Sequence, residues 1–161
     1  MERLWSPWRA RYIASSVDAQ NEQCVFCAIA KDVEHDEENF VLHRAQHCFV
    51  VLNLYPYISG HLMVVPYLHT SEFDATPKEI TDEMMDEVKR SQTALREVYK
   101  PPGFNMGMNL GTAGGAGIAD HLHIHLLPRW SGDTNFMTTV GETRVLPEDL
   151  ATTYSRLKLH F

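Results

Sequence analysis

His121, His123 and His125 occupy every second position of the stretch His121-Leu122-His123-Ile124-His125-Leu126-Leu127-Pro128. Imidazole serves as nucleophile, general acid, general base and metal ligand near neutral pH. Alternation with period two is the pattern of a half-buried β-strand, because successive side chains point to opposite faces. Leu122, Ile124 and Leu126 are therefore expected to face a core, with the histidines along the other face at spacings of roughly 6–7 Å. A polar strand face has no need of three imidazoles, so the pattern reads as a site. Immediately upstream, Gly111-Thr112-Ala113-Gly114-Gly115-Ala116-Gly117 places four glycines in seven residues. Such a loop lets backbone N–H groups approach and cradle an anion, and Asn109 could add a neutral donor beside it. Loop and histidines together point to phosphate chemistry. A neutral imidazole attacks phosphorus, and its phosphoramidate is labile enough to pass the group onward. The flanking imidazoles, when protonated, would stabilise charge on the phosphate oxygens and the leaving group.

A second group has ligand character. Cys24-Val25-Phe26-Cys27 brings two thiols close together in sequence. The spacing is compatible with a buried pair of small apolar residues, and also with half of a tetrahedral metal site, which needs two more ligands. Cys48, inside an apolar run, is expected in the core. His35, His43, His47 and His160 are expected at the surface.

The remaining sequence must supply the elements that hold these groups. Strand-like runs cover residues 40–43, 48–54 and 61–65, the last two joined by a Pro- and Gly-containing turn at residues 55–60. Short consecutive strands with a tight connection imply antiparallel pairing. Thr76-Pro77-Lys78-Glu79 predicts a helix start, with Thr76 as cap, Pro77 at the first position and Glu79 completing a capping box. Ile80, Met84, Val88, Leu95 and Val98 recur near helical spacing until Pro101-Pro102. A further strand is expected over residues 104–110 and a short helix after Pro147, with Glu148 and Asp149 in its first turn. Residues 32–38 should be a solvated acidic loop. Residues 1–20 read as an arm on which Trp5, Trp8 and Tyr12 share a helical face, packed on the chain's own core or on another copy. Without repeats or linkers, the chain is expected to form one α+β domain over residues 1–161.

Composition narrows the function classes. The chain of 161 residues is 44% hydrophobic and 22% charged, as soluble globular domains are. Its net charge of −7 argues against a sequence-independent grip on nucleic acid, although a local pocket can still attract a small anion. No run of 18 apolar residues is present, so no membrane span is expected. The N-terminus lacks the long apolar region of a signal peptide, and the odd number of cysteines fits a reducing compartment. The cytoplasm is the expected location.

His-φ-His-φ-His-φ-φ, with φ apolar, is the defining motif of the histidine triad family of nucleotide-binding hydrolases and transferases. This chain resembles that family from about Cys24 to Trp130, and Asn53 through Pro66 resembles the family's upstream hairpin. A narrower likeness, to the bacterial diadenosine tetraphosphate phosphorylases of the family, rests on three segments. They are Leu4-Trp5-Ser6-Pro7-Trp8-Arg9, Asn53 to Pro66, and Asp120 through Pro128-Arg129-Trp130 to Phe136. The resemblance implies the histidine triad fold, an antiparallel sheet of about five strands with one long helix and a shorter C-terminal one. It implies that His123 takes up AMP, that His121 orients it through its backbone carbonyl, and that His125 and His61 complete the group around the α-phosphate. Asn53 would hold the ribose, while Phe26 and Leu54 would form the adenine slot. From the residues themselves rather than the resemblance, Asn109, Gly114, Gly115, Gly117 and Asn135 are expected to face the phosphates as neutral donors. By the same resemblance, Cys24, Cys27, His69 and His121 would bind a structural zinc ion.

The implied ligands are an adenine nucleotide or dinucleoside polyphosphate and inorganic phosphate, handled by a homodimer or larger homo-oligomer. One departure bears on the reaction. The family's hydrolases carry Gly-Gln-Ser/Thr before the triad, whereas this chain has Ala116-Gly117-Ile118. A glycine-walled pocket favours phosphate over water as acceptor, with Asp120 expected to point away. Three rivals stay open: a hydrolase using the same His123 intermediate, a zinc hydrolase with His121 and His123 as metal ligands, and a non-catalytic nucleotide binder.

Overall fold

The structure is a computed structural model and describes residues 24–134, 138 and 146–161. The aromatic arm and Asn135 lie outside the described residues. Five strands form one sheet: β1 (Val41–Arg44), β2 (Cys48–Leu52), β3 (Leu62–Pro66), β4 (Gly103–Met108) and β5 (Ile124–Arg129). Their order is β1-β2-β3-β5-β4, with every neighbouring pair antiparallel. Among the described residues, three helices accompany them: α1 (Val25–Lys31), α2 (Lys78–Tyr99) and α3 (Leu150–Lys158). The sheet, the long helix and the shorter C-terminal helix agree with the expected α+β architecture.

The sheet is covered on both faces, which is why β2 and β3 are continuous apolar runs rather than alternating ones. On one face Val50, Leu52, Leu62, Val64, Leu122, Ile124 and Leu126 pack with Met84, Val88 and Leu95 of α2 and Leu157 of α3. On the other, Val41, Phe49, Val51, Met63 and Val65 pack with Phe26 and Ile29 of α1. Met63 is the cross-strand partner of His125, so the histidine face belongs to this second layer. The expected division of the motif therefore holds, but its histidine side is not solvated: His121 is 0%, His61 1% and His123 5% exposed.

Two boundaries differ from expectation for local reasons. The ladder of β5 begins at Ile124 rather than His121, because the Leu122 N–H donates to the Thr70 carbonyl instead of to a strand. Helix α2 begins at Lys78 with Pro77 as its N-cap residue and no side-chain cap. Thr76 turns backward, its hydroxyl donating to the Glu72 carbonyl, so the anticipated capping box does not form. The helix ends as expected, with left-handed Lys100 before the two prolines. Asp149 caps α3 by accepting the Thr152 N–H at 2.7 Å, one position before the helix rather than within its first turn. No helix among the described residues is long and apolar enough to cross a membrane.

Candidate active site and metal centre

Antiparallel pairing of β3 with β5 brings His61, the residue before β3, beside His125, and Phe26 of α1 packs on His121 and His123. The hydrogen bonds then fix each imidazole's proton. A carbonyl oxygen only accepts, so His123 Nδ1, 2.9 Å from the His121 carbonyl, carries the hydrogen. Nε2 of His123 is left with an in-plane lone pair. The Tyr57 N–H donates to His61 Nδ1 at 3.2 Å, which places the His61 hydrogen on Nε2. That hydrogen is donated to His125 Nδ1 at 2.9 Å, and the hydrogen of neutral His125 therefore sits on its own Nε2. A bare nitrogen on His123 and an N–H on His125 are thus presented by rings whose centroids are 4.8 Å apart. Phe26 packs on His123 at 4.9 Å and Tyr57 on His61 at 4.7 Å, which restricts both rings.

Burial sets the charge. It pushes His123 below the usual imidazole range despite the opposing carbonyl contact. It drives His61 down to about 3, with His125 and His123 adding to the effect. Burial and then His123 bring His125 to about 4. The expected protonated flanking imidazoles are therefore replaced by neutral ones, because taking a cation out of water costs more than the site returns. His125 acts as a neutral N–H donor.

The histidines open into a cleft of about 130 Å³ lined by Phe26, Asn53, Leu54, Asn109, Gly115, Gly117, His123 and His125. The structure thus brings together nearly all the residues assigned to catalysis and nucleotide binding. His61 and His121 lie outside the lining but touch its histidines, His61 Nε2 at 2.9 Å from His125 Nδ1 and the His121 carbonyl at 2.9 Å from His123 Nδ1. Gly114 also lies outside it: a Cβ there would lie 2.3 Å from the Leu110 carbonyl oxygen, so it serves close packing within the loop. The anion cradle is also smaller than expected, since the N–H groups of Gly115 and Ala116 donate to the Thr112 and Gly111 carbonyls. Asn109 Nδ2 donates to the Gly115 carbonyl at 3.3 Å and steadies the loop. Asp120 is exposed and absent from the lining. Sequence reasoning missed Val25, Ile29, Asn39, Val51, Tyr55, Tyr57 and Ile118, which also line the cleft. The apolar ones carried a detectable signal as residues of apolar runs; Asn39, between the acidic loop and the first strand, carried none.

Outside the cleft lining, Cys24, Cys27, His69 and His121 converge, their ligand atoms all within 4.8 Å of one another. His121 Nδ1 lies 3.3 Å from Cys24 Sγ, 3.7 Å from Cys27 Sγ and 3.3 Å from His69 Nδ1. His69 Nδ1 lies 3.3 Å from Cys27 Sγ. A tetrahedral ion with bonds of ~2.0–2.3 Å separates its ligand atoms by roughly 3.3–3.8 Å, so the set fits one metal ion. His121 donates its Nε2 hydrogen to the Pro66 carbonyl at 2.9 Å, which turns Nδ1 toward the ligand cluster. Burial and the neighbouring Cys24 push the Cys27 thiol up, and a divalent cation is what would allow both sulfurs to ionise.

Comparisons with known proteins agree with this geometry. The profile described as "HIT domain" matches residues 34–132. The chain is 39% identical over 157 residues to a Mycobacterium tuberculosis protein named AP-4-A phosphorylase, covering 95% of this chain and 80% of that one. It is 30% identical over 94 residues to the asymmetrical bis(5'-nucleosyl)-tetraphosphatase of Schizosaccharomyces pombe, covering 58% of this chain and 50% of that one. The crystal structure of a Zn-bound histidine triad family protein from Mycobacterium smegmatis superposes with a TM-score of 0.69 at 29% identity, covering 86% and 92% of the two chains. The domain match, the triad geometry and these relatives together show that the chain belongs to the HIT, or histidine triad, family.

Proposed function

We propose that this protein is an adenylyl transferase that cleaves diadenosine tetraphosphate with inorganic phosphate, giving ATP and ADP. The observation that carries the reading is His123: Nδ1 tied to the His121 carbonyl at 2.9 Å, and Nε2 bare beside the cleft. In the first half-reaction Nε2 attacks the α-phosphorus, and the bond to the bridging oxygen breaks as ATP departs. The His125 Nε2–H stabilises the charge developing on that oxygen. In the second, a phosphate oxygen attacks the AMP–His123 phosphorus, the N–P bond breaks, and ADP leaves with His123 restored. Asn53 holds the ribose and the apolar walls hold the base.

The preference for phosphate is supported by the glycine wall at Gly115 and Gly117, by the absence of a carboxylate among the described residues of the lining, and by the relative named AP-4-A phosphorylase. Zinc at Cys24, Cys27, His69 and His121 has a structural role: four protein ligands leave no position for water. That assignment disfavours a zinc hydrolase, because His121 faces the cysteines while His123 faces the cleft. The protein is read as a cytoplasmic homodimer or larger homo-oligomer that engages neither nucleic acid nor membrane. Hydrolysis through the same AMP–His123 intermediate is the second reading, favoured by the similarity to a tetraphosphatase. Product analysis with labelled diadenosine tetraphosphate, with and without phosphate, decides between them. ATP plus ADP, formed at a rate that depends on millimolar phosphate, is the expected result. ATP plus AMP at a rate indifferent to phosphate makes the enzyme a hydrolase, and absence of turnover leaves a nucleotide binder.

A further inference from the structure

We infer that Asn39 reads the base, selecting 6-aminopurine nucleotides over 6-oxopurine ones through its side-chain oxygen. The inference rests on the nucleotide-cleft reading above, but not on which acceptor the enzyme uses. Asn39 lines the same cleft as His123 and His125, alongside Val25, Phe26, Ile29 and Leu54. It stands just before β1, while the histidines belong to the β5 segment, and the sheet order puts β2 and β3 between them. Three strand spacings of about 4.8 Å make roughly 14 Å. That is the scale of one mononucleotide with a protein contact at each end. A nucleotide whose α-phosphorus meets His123 and whose ribose meets Asn53 therefore extends its base toward Asn39.

The two ends of the Asn39 amide are not equivalent. Nδ2 donates to Asp32 Oδ2 at 3.0 Å, and Asp32 Oδ1 takes His35 Nδ1 at 2.5 Å. A carboxylate accepts only, so one Nδ2 hydrogen is committed to Asp32 and fixes which way the amide is turned, while Oδ1 accepts no hydrogen bond from the described residues and can take one from a ligand in the cleft. The arrangement is held by charge: hydrogen bonds from His35 and Asn39 keep the Asp32 carboxyl low, while Asp32 pushes His35 up. The backbone is held as well. Asn39 N–H donates to the His35 carbonyl, Phe40 N–H to Glu37 and Val41 N–H to Asp36, and Phe40 adopts φ 55°. A left-handed φ is uncommon for a bulky non-glycine residue and persists only where its surroundings enforce it. The loop is thus built to one conformation, with Asn39 at the cleft wall.

An amide oxygen in that place accepts from the exocyclic amino group of adenine. A 6-oxopurine puts a second acceptor there, lone pair against lone pair, and leaves Asn39 without its partner. A polar group left unpaired at a binding wall costs more than a lost apolar contact. Asn39 is half-buried rather than enclosed, so the discrimination falls near the lower end, roughly tenfold to a hundredfold.

The test measures AMP and IMP binding to the zinc-loaded full chain by calorimetry, in wild type, Asn39→Leu and Asn39→Ala. Wild type should bind AMP at least tenfold more tightly than IMP. Both variants should bring the two affinities within about threefold, by weakening AMP and leaving IMP unchanged. The kcat/KM ratio for adenine against hypoxanthine dinucleoside tetraphosphates should follow the same course. Equal binding of AMP and IMP by wild type overturns the inference without needing any variant, as does a preference that survives in folded Asn39→Leu. Failure of wild type to bind either nucleotide overturns the nucleotide cleft itself, and this inference with it.

Discussion

The reactivity proposed for His123 depends on a single proton position, and that position follows from one backbone contact. The His121 carbonyl takes the Nδ1 hydrogen, and among the described residues no group claims the lone pair on Nε2. His123→Ala should therefore retain AMP affinity within an order of magnitude while turnover falls by several decades, as for other covalent catalysts. Rapid quenching with mass analysis should find a wild-type adduct heavier by one AMP and none in the variant; near-normal turnover by His123→Ala would refute the mechanism. Burial lowers the His123 pKa from its usual 6.5, so the neutral nucleophile persists below that pH. Single-turnover AMP transfer should accordingly stay level from pH 8 down past 6.5, and a midpoint at or above 6.5 would contradict the burial argument. The triad was legible from spacing, and the convergence of Cys24, Cys27, His69 and His121 from resemblance. The charge state of the flanking histidines was not, because it depends on Phe26 and the strands that enclose them, which meet the motif only in the folded chain. Asn39 was hidden for a related reason: its partner Asp32 and the cleft wall come together only through the turn before β1.

At the scale of elements, the apolar runs announced four of the strands and the long helix, while the ends of those elements answered to contacts distant in sequence. Gly60 illustrates this. It closes the turn before β3 at φ 78°, and a Cβ would meet Leu95 Cδ2 at 3.0 Å with Pro128 and Tyr99 carbons at 3.3 Å. Its Gly content marked a turn in the sequence, but the requirement for glycine comes from α2 and β5 pressing on that turn. Gly60→Ala should destabilise the protein by about 1–3 kcal/mol through backbone strain and overpacking. Urea unfolding measures this directly, and a change under about 0.5 kcal/mol would show that the turn relaxes. Helix α1 is the opposite case. Its seven residues are too few to be stable alone, and no periodic signal marked them as helical. It holds its place through Phe26, Ile29 and the Cys24–Cys27 pair, so the metal assigned to those thiols would clip it onto the sheet. Cys24→Ala/Cys27→Ala protein should carry less than a tenth of an equivalent of zinc and melt at a lower temperature than wild type. Wild-type protein purified without chelators that holds as little zinc would exclude the structural metal.

For the molecule as a whole, one consequence follows from placing histidines in the second apolar layer. A sheet buried on both faces is ordinary, but here one layer contains His61 and His125, held near 3 and 4 against an unfolded value of 6.5. Both folded values are depressed, so above pH 6.5 folded and unfolded chains are alike neutral at these groups and no stability depends on them. Between 6.5 and about 4 the unfolded chain takes up protons that the folded one refuses, and stability falls as the pH falls. Below about 4 the folded state begins to bind the same protons and the loss levels off. Each group can contribute up to about 1.4 kcal/mol per pH unit inside that window, so the pair should cost about 2–4 kcal/mol between pH 7 and 5. The carboxylates and the metal ligands titrate over part of the same range, which makes the wild-type slope alone indecisive. His61→Asn/His125→Asn removes only these two imidazoles and leaves those other groups in place. Urea unfolding of the zinc-loaded proteins at pH 7, 6 and 5 should therefore give a clearly shallower dependence for the double variant. Equal slopes would mean that the histidine pair is solvated enough to titrate normally, and the neutral donor assigned to His125 would fall with that result.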